Sequence, residues 1–193
     1  AEWTRRKGSI LSLVRMKYSE FLLCMKFFEL ELTAEETAAQ LKLNYKTVKY
    51  LYQYFSSVLI EKEFLEFNTD DLISGKEKLL RIYLCNGKIK LSYKDENLKQ
   101  LALINIERKR IQNAEAYFDF EIKQLNKTSD PKSIDPLLLK FIRFAKKRLY
   151  NYRGTAKKNL LLKFKEVEFR FNNSKVDIYD CLGKQISQNY KGG

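Results

Sequence analysis

The chain has 193 residues, 45% of them apolar and 32% charged, a globular composition that can bury the core of one ordinary domain or two small ones. Lysine and arginine number 37 against 24 acidic residues, a formal balance of +13, so polyanions are the natural partners: nucleic acid first, an anionic membrane surface second. The absence of histidine excludes serine–histidine and cysteine–histidine catalysis, the imidazole general base and every histidine metal ligand at once.

The opening AEWTRRKGSI carries basic residues but no apolar run adequate for a signal peptide. From Tyr18 to Leu32 apolar residues recur at helical spacing through Phe21, Leu22, Met25 and Phe28. Thr33 and Glu36 then form a capping-box pattern that opens a short helix, with Thr37, Ala38 and Leu41 directed inward. Lys42, Leu43 and Asn44 make a tight connection, and Asn44 is a good N-cap for a second helix running from Tyr45 to Ile60. Val48, Leu51, Tyr52 and Phe55 occupy one face of it. Two short helices joined by three residues, the second beginning polar and basic, describe a helix-turn-helix. Ala38 is the small residue where the helices approach. The turn lacks the glycine often found there, and Leu43 is its inward anchor. Tyr45, Lys46, Thr47, Lys49, Tyr50 and Gln53 are expected on the open side. Lysine and glutamine can bond base edges or phosphates, and threonine can touch a thymine methyl.

The middle of the chain reads differently. Phe64 to Phe67 suits a short strand. Leu79 to Cys85 and Lys88 to Tyr93, joined by Asn86 and Gly87, predict a hairpin with a type I′ turn. Asp95 is placed to cap a helix over Glu96 to Ile104. Ala116 to Leu125 alternates as an extended run, and Asn126 to Pro136 holds both prolines and reads as a loop. Helices are expected from Leu137 to Asn151, with Pro136 suited to the first turn, and from Ala156 to Phe171. Between Leu137 and Arg170 basic residues dominate, opposed only by Glu166 and Glu168. Those two glutamates fall on different sides of a helix and are expected to pair with Lys163, Lys165 or Arg170.

Three cysteines stand far apart, at Cys24, Cys85 and Cys181, with neither metal-ligand spacing nor an even count for a disulfide framework. Cys24 and Cys85 lie in apolar runs and read as buried thiols of a reducing compartment. Lysine or glutamate interrupts the longest apolar stretches, so no membrane span is expected and the location is read as cytoplasmic. Asp70 and Asp71, with Asp119 or Glu121, form the one carboxylate set that could be offered for a metal, although three converging ligands are not visible. No cofactor is expected.

KFIRFAKKRLYNYRGT followed by KNLLLKFKEVEFRFNN resembles the C-terminal end of the ISXO-type insertion-sequence transposases. In that family a run like F-W-x-x-A/F-K-x-R-L-x-K-F-R-G precedes a helix ending K-E-x-E-F/W-R-F-N. Phe141, Ala145, Lys146, Arg148, Leu149, Tyr152, Arg153 and Gly154 fit the first part. Lys165, Glu166, Glu168, Phe169, Arg170, Phe171 and Asn172 fit the second. The helix-turn-helix between Ser9 and Phe55 resembles the segment before the family's catalytic domain. The resemblance implies a ribonuclease H-like fold carrying two aspartates and a glutamate, which bind two divalent metals for strand cleavage and joining. The glutamate's position falls on Leu139, the first aspartate's on Asn68 and the second near Gln112. Leucine cannot ligate a metal, and neutral amides are far weaker ligands for hard cations than carboxylates. The family's cysteine-rich zinc ribbon has no counterpart here.

The expected architecture is therefore α+β: a helical helix-turn-helix region over residues 1–62, then a reduced ribonuclease H-like α/β region with C-terminal helices over 63–193. The expected function is a catalytically inactive, transposase-derived DNA-binding protein, a regulator or DNA-associated scaffold. Double-stranded DNA is the partner, and a homodimer reading two half-sites accompanies it. Its expected contacts are Tyr45, Lys46, Thr47, Lys49 and Gln53 toward the bases, and Arg143, Lys146, Lys147, Arg148, Arg153, Lys157 and Lys158 toward phosphates. Two alternatives stay open: a divergent metal-dependent transposase or nuclease with displaced carboxylates, and a protein-interaction scaffold without nucleic-acid binding.

Overall fold

The computed structural model describes residues 16–60, 79–92, 99–105, 135–149 and 157–191. The chain divides into two units, Ala1–Leu59 with Lys175–Gly193, and Ile60–Ser174. The architecture is α+β, with six helices and three strands among the described residues.

In the first unit, helix α1 spans Tyr18–Glu29, α2 Ala34–Leu41, α3 Tyr45–Leu59 and α6 Ile178–Lys191. Phe21, Cys24, Met25 and Phe28 make the buried stripe of α1, set against Val48, Leu51, Tyr52 and Phe55 of α3. Phe28 meets Tyr52 and Phe55 edge-on, with ring centroids 5.1 and 5.5 Å apart, and Phe21 meets Phe55 at 5.4 Å. Edge-to-face aromatic pairs of this kind add about 0.5–1.5 kcal/mol beyond their buried area. The α2–α3 pair is fastened by one buried polar link, the Thr37 hydroxyl on the Tyr52 hydroxyl at 2.6 Å. Thr37 and Ala38 are buried as the sequence predicts.

Both connections in this unit end a helix in the same way. Leu32 N–H donates to Phe27 O and Glu31 N–H to Phe28 O; Leu43 N–H donates to Ala38 O and Lys42 N–H to Ala39 O. This is the Schellman arrangement, which places one residue in the left-handed region. Glu31 (φ 62°) and Lys42 (φ 53°) take that place, so the turn that lacks glycine keeps its geometry with a lysine.

Helix α6 is absent from the sequence reading, which ended the last helix at Phe171. Its signal lies in Asp177, whose carboxylate accepts the Asp180 N–H at 2.9 Å, and in Ile178, Leu182 and Ile186, buried at four-residue spacing. The Asp180 N–H holds the Asp177 carboxyl below its usual range. Helix α6 packs against α1 and α3, and its Tyr179 N–H reaches Glu29 at 3.3 Å. Residues Lys175–Gly193 group with the first unit.

The second unit contains strands β1 (Leu79–Cys85), β2 (Lys88–Ser92) and β3 (Lys99–Asn105), with helices α4 (Pro136–Leu149) and α5 (Lys157–Asn172). The β1–β2 hairpin follows the prediction: Asn86 (φ 48°) and Gly87 (φ 72°) supply the two positive φ angles of a type I′ turn. The sheet is antiparallel in the order β2-β1-β3. The helix expected over Glu96 to Ile104 is corrected from Lys99 onward, where β3 pairs along β1 from Leu84↔Lys99 to Leu79↔Asn105. An isolated helix this short is marginal, while the open edge of β1 offers a full ladder. Ile82, Ile89 and Leu91 are buried on one face, and α4 and α5 pack against β2. Phe171 of α5 meets Phe141 and Phe144 of α4, both at 5.3 Å. The expected strand at Phe64 to Phe67 and the extended run at Ala116 to Leu125 lie outside the described residues.

Candidate nucleic-acid interface

Helix α3 begins at a built cap. Asn44 Oδ1 accepts the Lys46 N–H at 2.8 Å, and Asn44 O accepts the Thr47 and Val48 N–H groups at 3.0 and 3.2 Å. The helix holds no acidic residue in its first turn, where the macrodipole favours one, and places Lys46 there instead. Because the buried stripe runs through Val48, Leu51, Tyr52 and Phe55, the face opposite is fixed. Lys46, Lys49 and Gln53, at i, i+3 and i+7, line it together with Tyr50. Lys46, Lys49 and Tyr50 are exposed, and Gln53 is half-buried. Tyr45 is 40% exposed, and the Lys49 ammonium lies 5.6 Å from its ring centroid. Thr47 stands at the flank of this face and is half-buried.

The second basic surface is on α4. Leu138, Phe141, Ile142, Ala145 and Leu149 are buried, which leaves Lys140, Arg143 and Lys147 as one exposed stripe at three- and four-residue spacing. Lys146 and Arg148 flank the stripe, half-buried, and the Arg148 guanidinium carbon sits 3.4 Å from the centre of the Phe144 ring. The helix has no acidic residue at all. Lys140 completes this face and was not among the expected contacts; its signal was the spacing to Arg143 and Lys147. Of the other expected contacts, Lys157 and Lys158 are the first residues of α5, and Arg153 lies outside the described residues.

Three of the basic residues between Leu137 and Arg170 do not belong to any open surface. Lys163, Lys165 and Arg170 are buried. Lys163 Nζ and Arg170 Nε both bond the Glu166 carboxylate, at 2.8 and 3.0 Å, and Lys165 Nζ bonds Glu168 at 2.7 Å. The pairing expected for the two glutamates is what the helix forms. It also reaches the sheet. Leu91 N–H donates to Glu168 at 3.0 Å and Lys165 Nζ donates to Leu91 O at 3.2 Å. Ile89 N–H donates to Asn172 Oδ1 at 3.0 Å, and Asn172 Nδ2 returns a bond to Ile89 O at 2.6 Å. Lys165, Glu168 and Asn172 thus satisfy the outer edge of β2, which would otherwise be open for pairing.

Leu139, at the position where the resemblance implies a metal-binding glutamate, is a half-buried residue of α4. Asn68, Gln112 and the carboxylates Asp70, Asp71, Asp119 and Glu121 lie outside the described residues. Among the described residues no three His, Cys, Asp or Glu side chains gather where they could hold a metal ion. Cys24 is fully buried, as expected, whereas Cys85 is only half-buried: it ends β1 beside the turn, where the sheet surface opens. No helix among the described residues is long and apolar enough to cross a membrane. Comparison of the chain with protein-family models, curated proteins and solved structures finds no match in any of the three.

Proposed function

We propose that this protein binds double-stranded DNA through α3 of a helix-turn-helix and acts as a regulator or DNA-associated scaffold without cutting strands. The observation that carries the reading is the open face of α3: a capped helix start, no acid in the first turn, and Lys46, Lys49, Tyr50 and Gln53 aligned on one side. A lysine at a helix N-terminus costs stability, and an approaching phosphate reverses the sign of that term. The basic stripe of α4, with Arg143 and Lys147 at its centre, supports the reading as a phosphate-neutralising surface.

Descent from an ISXO-type transposase with a reduced ribonuclease H-like region is part of the proposal. It rests on the two C-terminal sequence motifs. Inactivity rests on Leu139, Asn68 and Gln112 standing where carboxylates are required. A homodimer contacting two half-sites completes it.

The test is titration of a labelled random duplex, and of a single strand of equal length, at rising salt. Preferential duplex binding is expected, with log K falling linearly against log salt by about 0.9 per phosphate neutralised. Failure to bind either nucleic acid overturns the proposal. Strand nicking that needs Mg²⁺ or Mn²⁺ and survives repurification overturns the inactive assignment.

A further inference from the structure

We infer that the α3 face selects A·T-rich duplex sites, with Gln53 reading an adenine and Tyr50 packing on a thymine methyl. The inference rests on the DNA-binding reading above and goes beyond it to the class of sequence bound.

Three observations carry it. The first is what the face lacks. Helix α3 contains neither arginine nor an acidic residue. Among the described residues of the first unit there is no arginine anywhere. Arginine's fixed fork is the group best matched to the two acceptors of guanine, and a carboxylate is the acceptor for the cytosine amine. Helix α3 therefore presents no arginine fork to guanine and no carboxylate to cytosine, and its lysines are the only charged donors it has for a guanine.

The second is what the face holds. Gln53 is the one side chain there with a donor and an acceptor in a single plane, the complement of adenine's N6 and N7. It lies seven residues beyond Lys46, hence two turns along the same face. Tyr50 stands between them, 46% exposed, offering an aromatic edge where thymine alone carries a methyl group.

The third is the condition of the lysines. Lys49 lies over the Tyr45 ring, and Lys46 occupies the first turn. An ammonium with three rotatable donors donates to any nearby acceptor, on phosphate, guanine, adenine or thymine, so the lysines supply attraction and little discrimination. Discrimination falls to Gln53 and Tyr50, and both favour A·T pairs.

The experiment is selection from a random duplex pool with the full chain, run for the wild type, Gln53→Ala and Tyr50→Ala. The recovered site is then remade with deoxyuridine in place of thymidine, which removes only the methyl. An A·T-rich motif is expected from the wild type. Gln53→Ala should lose its preference at one adenine by about tenfold. Deoxyuridine should weaken the wild type severalfold and make no difference to Tyr50→Ala. A guanine-dominated motif, binding without enrichment, or an unchanged motif from Gln53→Ala overturns the inference while leaving DNA binding intact. Tyr50→Ala and the deoxyuridine duplex decide the point even if Gln53→Ala fails to fold. No retention of any duplex by the wild type overturns the underlying reading as well.

Discussion

Lys42 holds a left-handed backbone at φ 53° at the end of α2, a conformation that costs a side-chain-bearing residue about 1–2 kcal/mol and glycine almost nothing. Glycine's greater freedom in the unfolded chain offsets part of that. Lys42→Gly should therefore stabilise the protein by about 0.5–1 kcal/mol, and Lys42→Val should destabilise it, both read from denaturant melts. Lys46 sits at the opposite end of the turn, in the first turn of α3. Lys46→Glu should raise stability by about 0.3–1 kcal/mol while lowering duplex affinity, because an acid suits the helix dipole and repels phosphate. Opposite signs in one variant would separate folding from binding. Cys24 offers a pH test. Burial, helped by the nearby negative charge of Glu20, pushes its thiol up to about 12 from an ordinary value near 9. The folded state favours the neutral thiol, so this contribution is fully present below pH 9 and is lost as pH rises toward 12. Native protein treated with a thiol reagent at pH 8 should be modified at the half-buried Cys85 and Cys181, and at Cys24 only after denaturant is added. Cys24's burial was readable from its apolar neighbours. The half-exposure of Cys85 was not, because it depends on where a strand ends within a sheet.

Helix α5 shows how one element can satisfy a motif without forming a ligand site. Its polar residues fall on the side that meets β2, where Lys165, Glu168 and Asn172 replace a missing neighbouring strand. Glu166 is buried between Lys163 and Arg170, so replacing it by alanine removes the carboxylate that both cations bond. A loss of about 3–5 kcal/mol is expected for Glu166→Ala. Asn172→Ala should cost about 1–3 kcal/mol by orphaning the Ile89 amide and carbonyl. Amide exchange localises the effect: Ile89 should lose protection in Asn172→Ala, while α1 to α3 should not. The helices of this chain were legible where they carried their own caps and apolar stripe, as in α2 with Thr33 and Glu36 and in α4 with Pro136 at its start. Segment 99–105 was not, since nothing local distinguishes a short apolar run paired to β1 from about two turns of helix.

The first unit is not contiguous in sequence, and this carries its own prediction. The first needs α6, which supplies Ile178, Leu182 and Ile186 to the core it shares with α1 and α3. Truncation after Ser174 leaves every proposed DNA contact in the chain, yet it should expose α1 to α3 to rapid amide exchange and reduce duplex binding. Retained protection of those helices would show that the three-helix segment folds without its C-terminal partner. The Thr33 and Asn44 caps, the Asn86–Gly87 turn and the stripes of α1 to α4 are local properties, written in neighbouring residues and legible in the chain alone, whereas the helix expected behind an Asp95 cap gives way to β3 and the Asp177 cap of α6 is not predicted. The partner of each face is a long-range property. Lys163, Lys165 and Arg170 carry the same charge as Lys140, Arg143 and Lys147; nearby glutamates mark the first three as pairing candidates in the sequence, but only packing shows that they are buried while the other three face water. The same holds for β3 and α6, whose conformation or placement is settled by an edge or a core built from residues more than a dozen positions away.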